Sequence, residues 1–165
     1  PGEPGGMLPS GERPQGEPGE KLKEESDTTD EGEASETAST KGIKANGSLA
    51  ISGGTYTIYA ADDGFHSNSD IAISGGTLTI ASGDDGIHAD GQVTVSDGTI
   101  VISESYEGIE GSEKVLIAGG RITITSDDVG LNSAVDEIRG GHTEIDAEGD
   151  GSATKGTYNV SRGAT

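Results

Sequence analysis

Residues 63–106 read DGFHSNSDIAISGGTLTIASGD and then DGIHADGQVTVSDGTIVISESY, two 22-residue units with glycines and apolar residues at matching places. Related units lie on both sides, so that a glycine recurs at the same interval at positions 42, 64, 86, 108 and 130. A fixed period near 20 residues is typical of a solenoid, in which each repeat forms one coil and stacks on the next.

Apolar and polar residues alternate within each unit, which indicates β-strands with one buried face. Ile71 and Ile73 form one alternating pair, and Leu78 and Ile80 form a second pair after the turn sequence SGGT. A third short strand begins at the apolar residue after the leading glycine, here Phe65. The sequence therefore predicts an all-β fold over residues 41–165, a parallel β-helix of about five coils with three strands in each coil.

The repeat weakens toward the C-terminus. The segment IRGGHTEID follows IAGGRITIT at one residue less than the full period. Asp150 follows Asp128 by the full period, so we expect it to return to the regular register. The last segment, GSATKGTYNVSRGAT, keeps little alternation and predicts a degenerate coil or a cap.

The composition suits such a solenoid. The chain has 165 residues, of which 29 are glycine, 29% are hydrophobic and 3% are aromatic. These values fit either disorder or a thin, regular core. Coils that each turn roughly five apolar side chains inward, stacked about 4.8 Å apart, fill a narrow core without large aromatics.

Residues 1–40 differ from the rest of the chain. All five prolines lie there, with eleven acidic residues against three basic ones. This composition predicts an acidic Pro/Gly-rich tail or linker that is solvated. The chain begins at Pro1 without the pattern of a signal peptide, so we expect a processed or trimmed chain.

The net charge of −20 limits the partners. It argues against nucleic acid, whose phosphates require Lys and Arg, and against anionic membrane surfaces. It favours divalent cations. Cysteine is absent, which excludes disulfides and thiolate metal sites.

Two neighbouring columns of the predicted solenoid are rich in carboxylates. The first contains Asp62, Asp84, Tyr106, Asp128 and Asp150, and the second contains Lys41, Asp63, Asp85, Glu107 and Val129. Two unit charges about 5 Å apart repel by roughly 1 kcal/mol in water and by about 3 to 4 kcal/mol at an effective dielectric constant of about 20. Bound cations would relieve this repulsion, and oxygen ligands favour Ca²⁺. The alternative is that the Asp-Asp-Gly segments are turns whose side chains point to water.

The histidines give a weaker pattern. His66 and His88 share a column with Lys44, Glu110 and Asn132. Because zinc sites gather three or four protein ligands, two stacked histidines alone predict neither a zinc site nor a catalytic base. We therefore expect both to be incidental, and His142 to be a surface residue.

The units DDGIHADGQVTVSDGTIVIS and YEGIEGSEKVLIAGGRITITSDDVGLNSA resemble secreted bacterial carbohydrate-binding β-helix proteins, which are similar in fold to the pectate lyase superfamily and its family-9 polysaccharide lyases. The resemblance covers residues 41–151. It implies a right-handed helix, an extracellular or cell-surface location, bound Ca²⁺, and plant-type polysaccharides, including acidic ones, as partners. The calcium ligands that it implies are Asp62, Asp63, Asp84, Asp85, Glu107, Asp127 and Asp128. After EGDG, where family members continue with a regular coil, this chain continues with SATKGTYNV.

Three functions follow from these patterns. The first is a calcium-stabilised polysaccharide-binding module, with Tyr59 and Tyr106 as sugar-stacking side chains and no catalytic residue. The second is a structural subunit that self-associates end to end into a filament, since an open solenoid presents unpaired strands. The third is a lyase, in which a calcium ion acidifies the proton beside a uronate carboxylate and a basic side chain removes it. The candidate bases are Lys44, Lys114 and Arg121.

Overall fold

The computed structural model describes residues 40–160, with the backbone alone for residues 157–159. The tail predicted for residues 1–40 lies outside the described residues except for Thr40. All the regular secondary structure in the described part is β-strand. No helix that could cross a membrane is found there. The strands are β1 (Ile43–Ala45), β2 (Leu49–Ala60), β3 (Phe65–Ser67), β4 (Ile71–Ser82), β5 (Ile87–Ala89), β6 (Gln92–Glu104), β7 (Glu107–Gly111), β8 (Lys114–Ile117), β9 (Arg121–Ser126), β10 (Val129–Ile138), β11 (His142–Ala147) and β12 (Ser152–Val160).

The strands form a β-solenoid of about five coils, which confirms the predicted fold class. Each strand pairs in parallel with a strand one coil away, and the usual offset equals the period of the repeat, as between Ile43 and Phe65. The short strands β1, β3, β5 and β7 stack in one series, and the long strands β2, β4 and β6 stack in another. Residues at one position of the repeat therefore form a column along the solenoid.

The core consists of the apolar columns. Ile80, Ile102 and Ile124 are 0–1% exposed, and Ile80 pairs with Ile102 and Ile102 with Ile124. Phe65, the chain's one phenylalanine, also lies in the core and meets the edge of Tyr56, with ring centroids 5.9 Å apart. Because successive side chains of a strand point to opposite faces, the apolar residues point into the core and the polar residues between them point outward.

The SGGT segments bend the chain without ending the strand. β2, β4 and β6 each run through this segment, with shifts in pairing on either side of it. The second glycine has a positive φ, for example +92° at Gly54 and +101° at Gly76. Other residues rarely adopt such angles, so glycine is required there. The first three coils therefore have two continuous strands, whereas three were predicted; the fourth has three, β7, β8 and β9.

A second glycine column packs against the neighbouring coil. A Cβ atom built on Gly86 would lie 2.6 Å from the carbonyl oxygen of Gly108 and 2.7 Å from Cδ1 of Ile102. Gly42, Gly64 and Gly108 have the same crowded environment. This close approach explains why the leading glycine recurs in every unit of the repeat.

The irregular fifth coil is one residue short at a corner. Ser133 pairs with Gly111 at the full period, but Asp136 pairs with Val115 at an offset one residue shorter. The shorter offset then persists through β11, as predicted for IRGGHTEID. The expected return of Asp150 to the regular register is wrong, because the backbone of Gly149, and not that of Asp150, pairs with Asp128.

The shortened corner carries a buried carboxylate. Asp136 is 0% exposed and takes the inward position that Val115 has in the coil before. Ser133 Oγ donates a hydrogen bond to Asp136 Oδ1 over 2.6 Å, and Ser152 Oγ donates to Oδ2. Two hydroxyl donors thus replace the solvation that the carboxylate loses on burial.

Candidate functional site

Three columns of side chains, those that contain Asp84, Asp85 and His88, run side by side along one corner of the first four coils. Together they line a cleft of about 260 Å³. We call this the acidic cleft. The columns stack because β1, β3, β5 and β7 hold the corner in a regular parallel register. The side chains that line the cleft are Lys41, Asp63, His66, Asp84, Asp85, His88, Tyr106, Glu107 and Glu110.

Lys41 neutralises the first pair of aspartates. Its Nζ donates to Asp63 Oδ2 over 2.5 Å and lies 3.0 Å from Asp62 Oδ2. Burial opposes the charge of Lys41, but its contacts with Asp63 and Asp62 outweigh burial and raise its pKa. Burial also opposes the charge of Asp63, whose pKa is nevertheless lowered by hydrogen bonds from Lys41 and His66.

His66 and His88 belong to the acidic cleft, which corrects the expectation that they are incidental. His66 Nδ1 lies 2.8 Å from Asp63 Oδ2, and His88 Nδ1 lies 2.8 Å from Asp85 Oδ2. The two imidazole rings stack with centroids 4.9 Å apart and planes 3° from parallel. The same contact is therefore repeated one coil later.

His88 has a third partner that His66 lacks. Its Nδ1 lies 2.5 Å from Oε2 of Glu110, which pairs with His88 across β5 and β7. At the corresponding position above His66 the partner is His88 itself. A carboxylate, an imidazole and a second carboxylate therefore converge only around His88 within residues 40–160. We call Asp85, His88 and Glu110 the histidine triad.

These contacts shift the pKa values strongly. Hydrogen bonds to Asp85 and then to Glu110 raise the pKa of His88 to about 11, against the opposing effect of burial. Burial raises the pKa of Asp85 to about 7, although its hydrogen bond with His88 acts the other way. The hydrogen bond with His88 lowers the pKa of Glu110. His88 is accordingly an imidazolium near neutral pH, held by the Glu110 carboxylate and by the carboxyl group of Asp85.

Two further carboxylates of the cleft, Asp84 and Glu107, form no ion pair within residues 40–160. Burial raises the pKa of Asp84, and the charges of Asp63 and Asp62 raise it further. Burial and the charges of Glu110 and Asp128 likewise raise the pKa of Glu107, in spite of a 2.8 Å hydrogen bond from Asn132 Nδ2. The charges of Lys41 and His88 therefore only partly relieve the repulsion among the stacked carboxylates in this part of the cleft.

The predicted calcium ligands separate into groups. Carboxylate oxygens of Asp62, Asp63 and Asp84 lie within 4.8 Å of one another. Asp85 joins His88 and Glu110 in a second group of the same size. Glu107 lines the cleft, and Asp128 lies close enough to affect its pKa. Asp127 is exposed and is not a lining residue of the cleft.

The two tyrosines predicted to stack on sugars lie apart. Tyr106 is 50% exposed and lines the acidic cleft. Tyr59 is 81% exposed and lies near the end of β2, in register with Ala81 of the next coil. Their role in sugar binding stays a prediction.

The candidate lyase bases lie elsewhere. Lys114 Nζ donates to Glu137 over 2.6 Å, and neither Lys44 nor Arg121 is a lining residue of the cleft. The lysine that lines the cleft is Lys41, which was not among the bases predicted from the sequence. His142 is exposed, as expected.

Sequence reasoning missed Lys41, His66, His88 and Glu110 as members of the site. The signal was present: in DGFH and DGIH the aspartate and histidine are three residues apart on one corner, and Glu110 lies one full period after His88. Combining the spacing within a coil with the spacing between coils would have found all three residues of the histidine triad.

A family model described as carbohydrate-binding domain-containing protein matches residues 19–86 and again residues 84–165. No curated protein and no solved structure matches the chain. The two matches together span most of the chain and include the whole acidic cleft. The chain therefore belongs to the family of carbohydrate-binding domain-containing proteins.

Proposed function

We propose that the chain is an extracellular module that binds acidic polysaccharides of the plant type with the help of Ca²⁺. Membership of a carbohydrate-binding family supports a polysaccharide partner and a binding role rather than a catalytic one. The observation that carries the calcium part is the group formed by Asp62, Asp63 and Asp84, whose oxygens lie within 4.8 Å of one another on two neighbouring coils.

The donor set fits Ca²⁺ in chemistry. Carboxylate oxygens that approach from different directions are the ligands that this hard cation prefers. Asp84 is exposed and Asp62 partly exposed, so the group faces solvent. Lys41 competes for the same oxygens through its contacts with Asp62 and Asp63, so Ca²⁺ binding requires its ammonium group to move aside.

A divalent cation would also explain how an acidic protein binds an acidic polymer. The net charge of −20 repels a uronate chain unless positive charge lies between them. Bound Ca²⁺ supplies that charge and accepts oxygen ligands from both molecules. Tyr106, half-exposed at the cleft, offers a ring face to a sugar.

The test is binding of the full chain to polygalacturonate, measured by isothermal titration calorimetry with Ca²⁺ and with excess EGTA. We expect binding that EGTA abolishes. Asp84→Asn should weaken it, whereas Asp127→Asn, which changes an exposed aspartate outside the cleft, should have little effect. Binding that survives EGTA would contradict the calcium part, and no binding to acidic or neutral plant polysaccharides would contradict the proposed function.

A further inference from the structure

The histidine triad differs chemically from the rest of the acidic cleft, because it places an imidazole nitrogen between two carboxyl groups. Asp85 and His88 are three residues apart on one coil, and Glu110 follows on the next coil in register with His88. Their nearest ligand atoms, one nitrogen and two oxygens, lie within 4.8 Å of one another. Calcium sites in proteins use oxygen ligands, whereas an imidazole with carboxylates suits Zn²⁺ and related metals.

We propose that Asp85, His88 and Glu110 bind a transition-metal cation of the Zn²⁺ class. This site is separate from the group formed by Asp62, Asp63 and Asp84, and it does not rest on the proposed polysaccharide binding. With three protein ligands, a fourth position remains for water or another ligand from the cleft, as in open zinc sites.

The backbone holds the ligands in place before any metal arrives. Asp85 and His88 lie on either side of the close contact between Gly86 and the neighbouring coil, and Asp85 is only 5% exposed. Glu110 lies on β7, between two parallel partners, β5 and β10. Little conformational freedom is therefore lost on binding, which favours affinity.

The second ring nitrogen of His88 has the partner that a metal-binding histidine usually has. Its Nε2 lies 3.3 Å from Oδ1 of Asp90, while Nδ1 faces the two carboxylates. A carboxylate behind the imidazole orients the ring and strengthens it as a ligand. His66 has an amide oxygen, from Asn68, in that place.

Zn²⁺ binding requires only a small rearrangement of these three side chains. Ligand atoms around a tetrahedral Zn²⁺ at about 2.0 to 2.2 Å stand roughly 3.3 Å apart. The present distances from Nδ1 are 2.8 Å to Asp85 and 2.5 Å to Glu110. Rotation of the partly exposed Glu110 side chain can supply much of the change. The metal takes the place of the proton that His88 shares with the carboxylates, so binding releases that proton.

His66 provides a matched control inside the same molecule. It has an equivalent contact with Asp63 and a comparable burial, but the next coil offers it an imidazole where His88 has Glu110. The sequence Asp-Asp-Gly-X-His therefore occurs twice, as DDGFH and DDGIH, but only the second copy is expected to bind the metal.

The experiment is calorimetric titration of the metal-free full chain with Zn²⁺ alone, without polysaccharide, before and after addition of excess Ca²⁺. We expect one equivalent of Zn²⁺ that Ca²⁺ does not displace. His88→Gln and Glu110→Gln should each lower the affinity more than about tenfold, the low end of the loss caused even by outer partners of a metal site. His66→Gln and His142→Gln should retain it.

Equal losses for His66→Gln and His88→Gln, displacement of Zn²⁺ by Ca²⁺, or no stoichiometric binding would overturn the proposal. Melting curves in EDTA show whether each variant is folded. X-ray absorption of the wild-type chain with Zn²⁺ gives an answer that needs no variant. The outer-shell scattering of one coordinated imidazole is expected, and its absence would refute the site.

Discussion

Asp136 occupies in the fifth coil the inward position that Val115 occupies in the fourth, and its carboxylate is fully buried there. A carboxyl group has replaced an apolar side chain in a core column, and it accepts hydrogen bonds from the hydroxyl groups of Ser133 and Ser152. The geometry ties the shortened corner to β12, because Ser152 is the first residue of that strand.

Replacement of Asp136 by alanine should destabilise the solenoid. Both hydroxyl donors lose their acceptor and a small cavity opens, so we expect a loss of about 2 kcal/mol or more in the free energy of unfolding. Urea denaturation measures this loss. Asp146→Ala, at an exposed position of β11, is the control and should change stability by less than about 0.5 kcal/mol. Equal effects of the two changes would mean that the buried hydrogen bonds are unimportant.

The glycine column predicts a sharp contrast between two glycine-to-alanine changes. Gly86→Ala places a methyl group 2.6 Å from the Gly108 carbonyl oxygen, so we expect a loss of about 1 to 3 kcal/mol from overpacking. Gly53→Ala has no atom within 4 Å of the new Cβ and does not need a positive φ. It should be neutral or slightly stabilising. Thermal melts monitored by circular dichroism compare the two, and a stable Gly86→Ala would contradict the close approach of the coils.

The ammonium group of Lys41 supplies positive charge at one end of the carboxylate columns. Lys41→Met removes the ammonium group from Asp62 and Asp63, and in EGTA we expect a loss of about 1 to 3 kcal/mol in the free energy of unfolding. Under the calcium proposal, added Ca²⁺ should restore more stability to this variant than to the wild type, because the competing charge is gone. Lys44→Met, which changes an exposed lysine that does not line the cleft, is the control. A variant that Ca²⁺ does not stabilise would count against a site at these oxygens.

Stability should fall as the pH rises above neutrality in metal-free buffer. The folded pKa of His88, about 11, exceeds the ordinary value of 6.5, so its contribution is complete below about pH 6.5 and is lost as the pH approaches 11. Asp85, with its pKa raised to about 7, acts in the same direction at lower pH, between about 4 and 7. The slope attributable to His88 cannot exceed about 1.4 kcal/mol per pH unit.

Urea titrations at several pH values from 7 to 10 check this dependence. The difference between wild type and His88→Gln reports the histidine together with its effect on Asp85 and Glu110, since the groups that do not contact His88 titrate alike in both proteins. We expect this difference to shrink as the pH rises, and the corresponding difference for His142→Gln to stay near zero. A constant difference would show that His88 does not hold its proton in the folded state.

The fold could be predicted because its determinants repeat. Stacked glycines, alternating isoleucines and turn glycines appear at a fixed spacing, so the sequence of each coil predicts the same structure independently. Strand boundaries were less accurate, since the bend at Gly54 and its equivalents keeps the sheet hydrogen bonds on both sides. The right-handed sense of the helix, the role of residues 1–40 and end-to-end association stay predictions.

The candidate site was predicted only along the columns. Asp62, Asp63, Asp84 and Asp85 were found because identical residues stack, but Lys41 and Glu110 break that identity and were not recognised as partners of the aspartates. Attraction between neighbouring coils needs unlike residues, which a search for repetition overlooks. The position of Asp136 in the core was missed for a related reason: a one-residue deletion moves it from a corner into an apolar column.

That deletion also decides which carboxylate column receives Asp150. It places Gly149 over Asp128 and shifts Asp150 into the neighbouring column, where the Gly130 amide donates to its carbonyl as the Gly86 amide donates to that of Glu107. The number of coils in the stack and the column in which a carboxyl group lies are therefore set independently. A single residue inserted between Ser133 and Asp136 is expected to bring Asp150 over Asp128, returning its carboxyl group to the first column without adding any new coil to the stack.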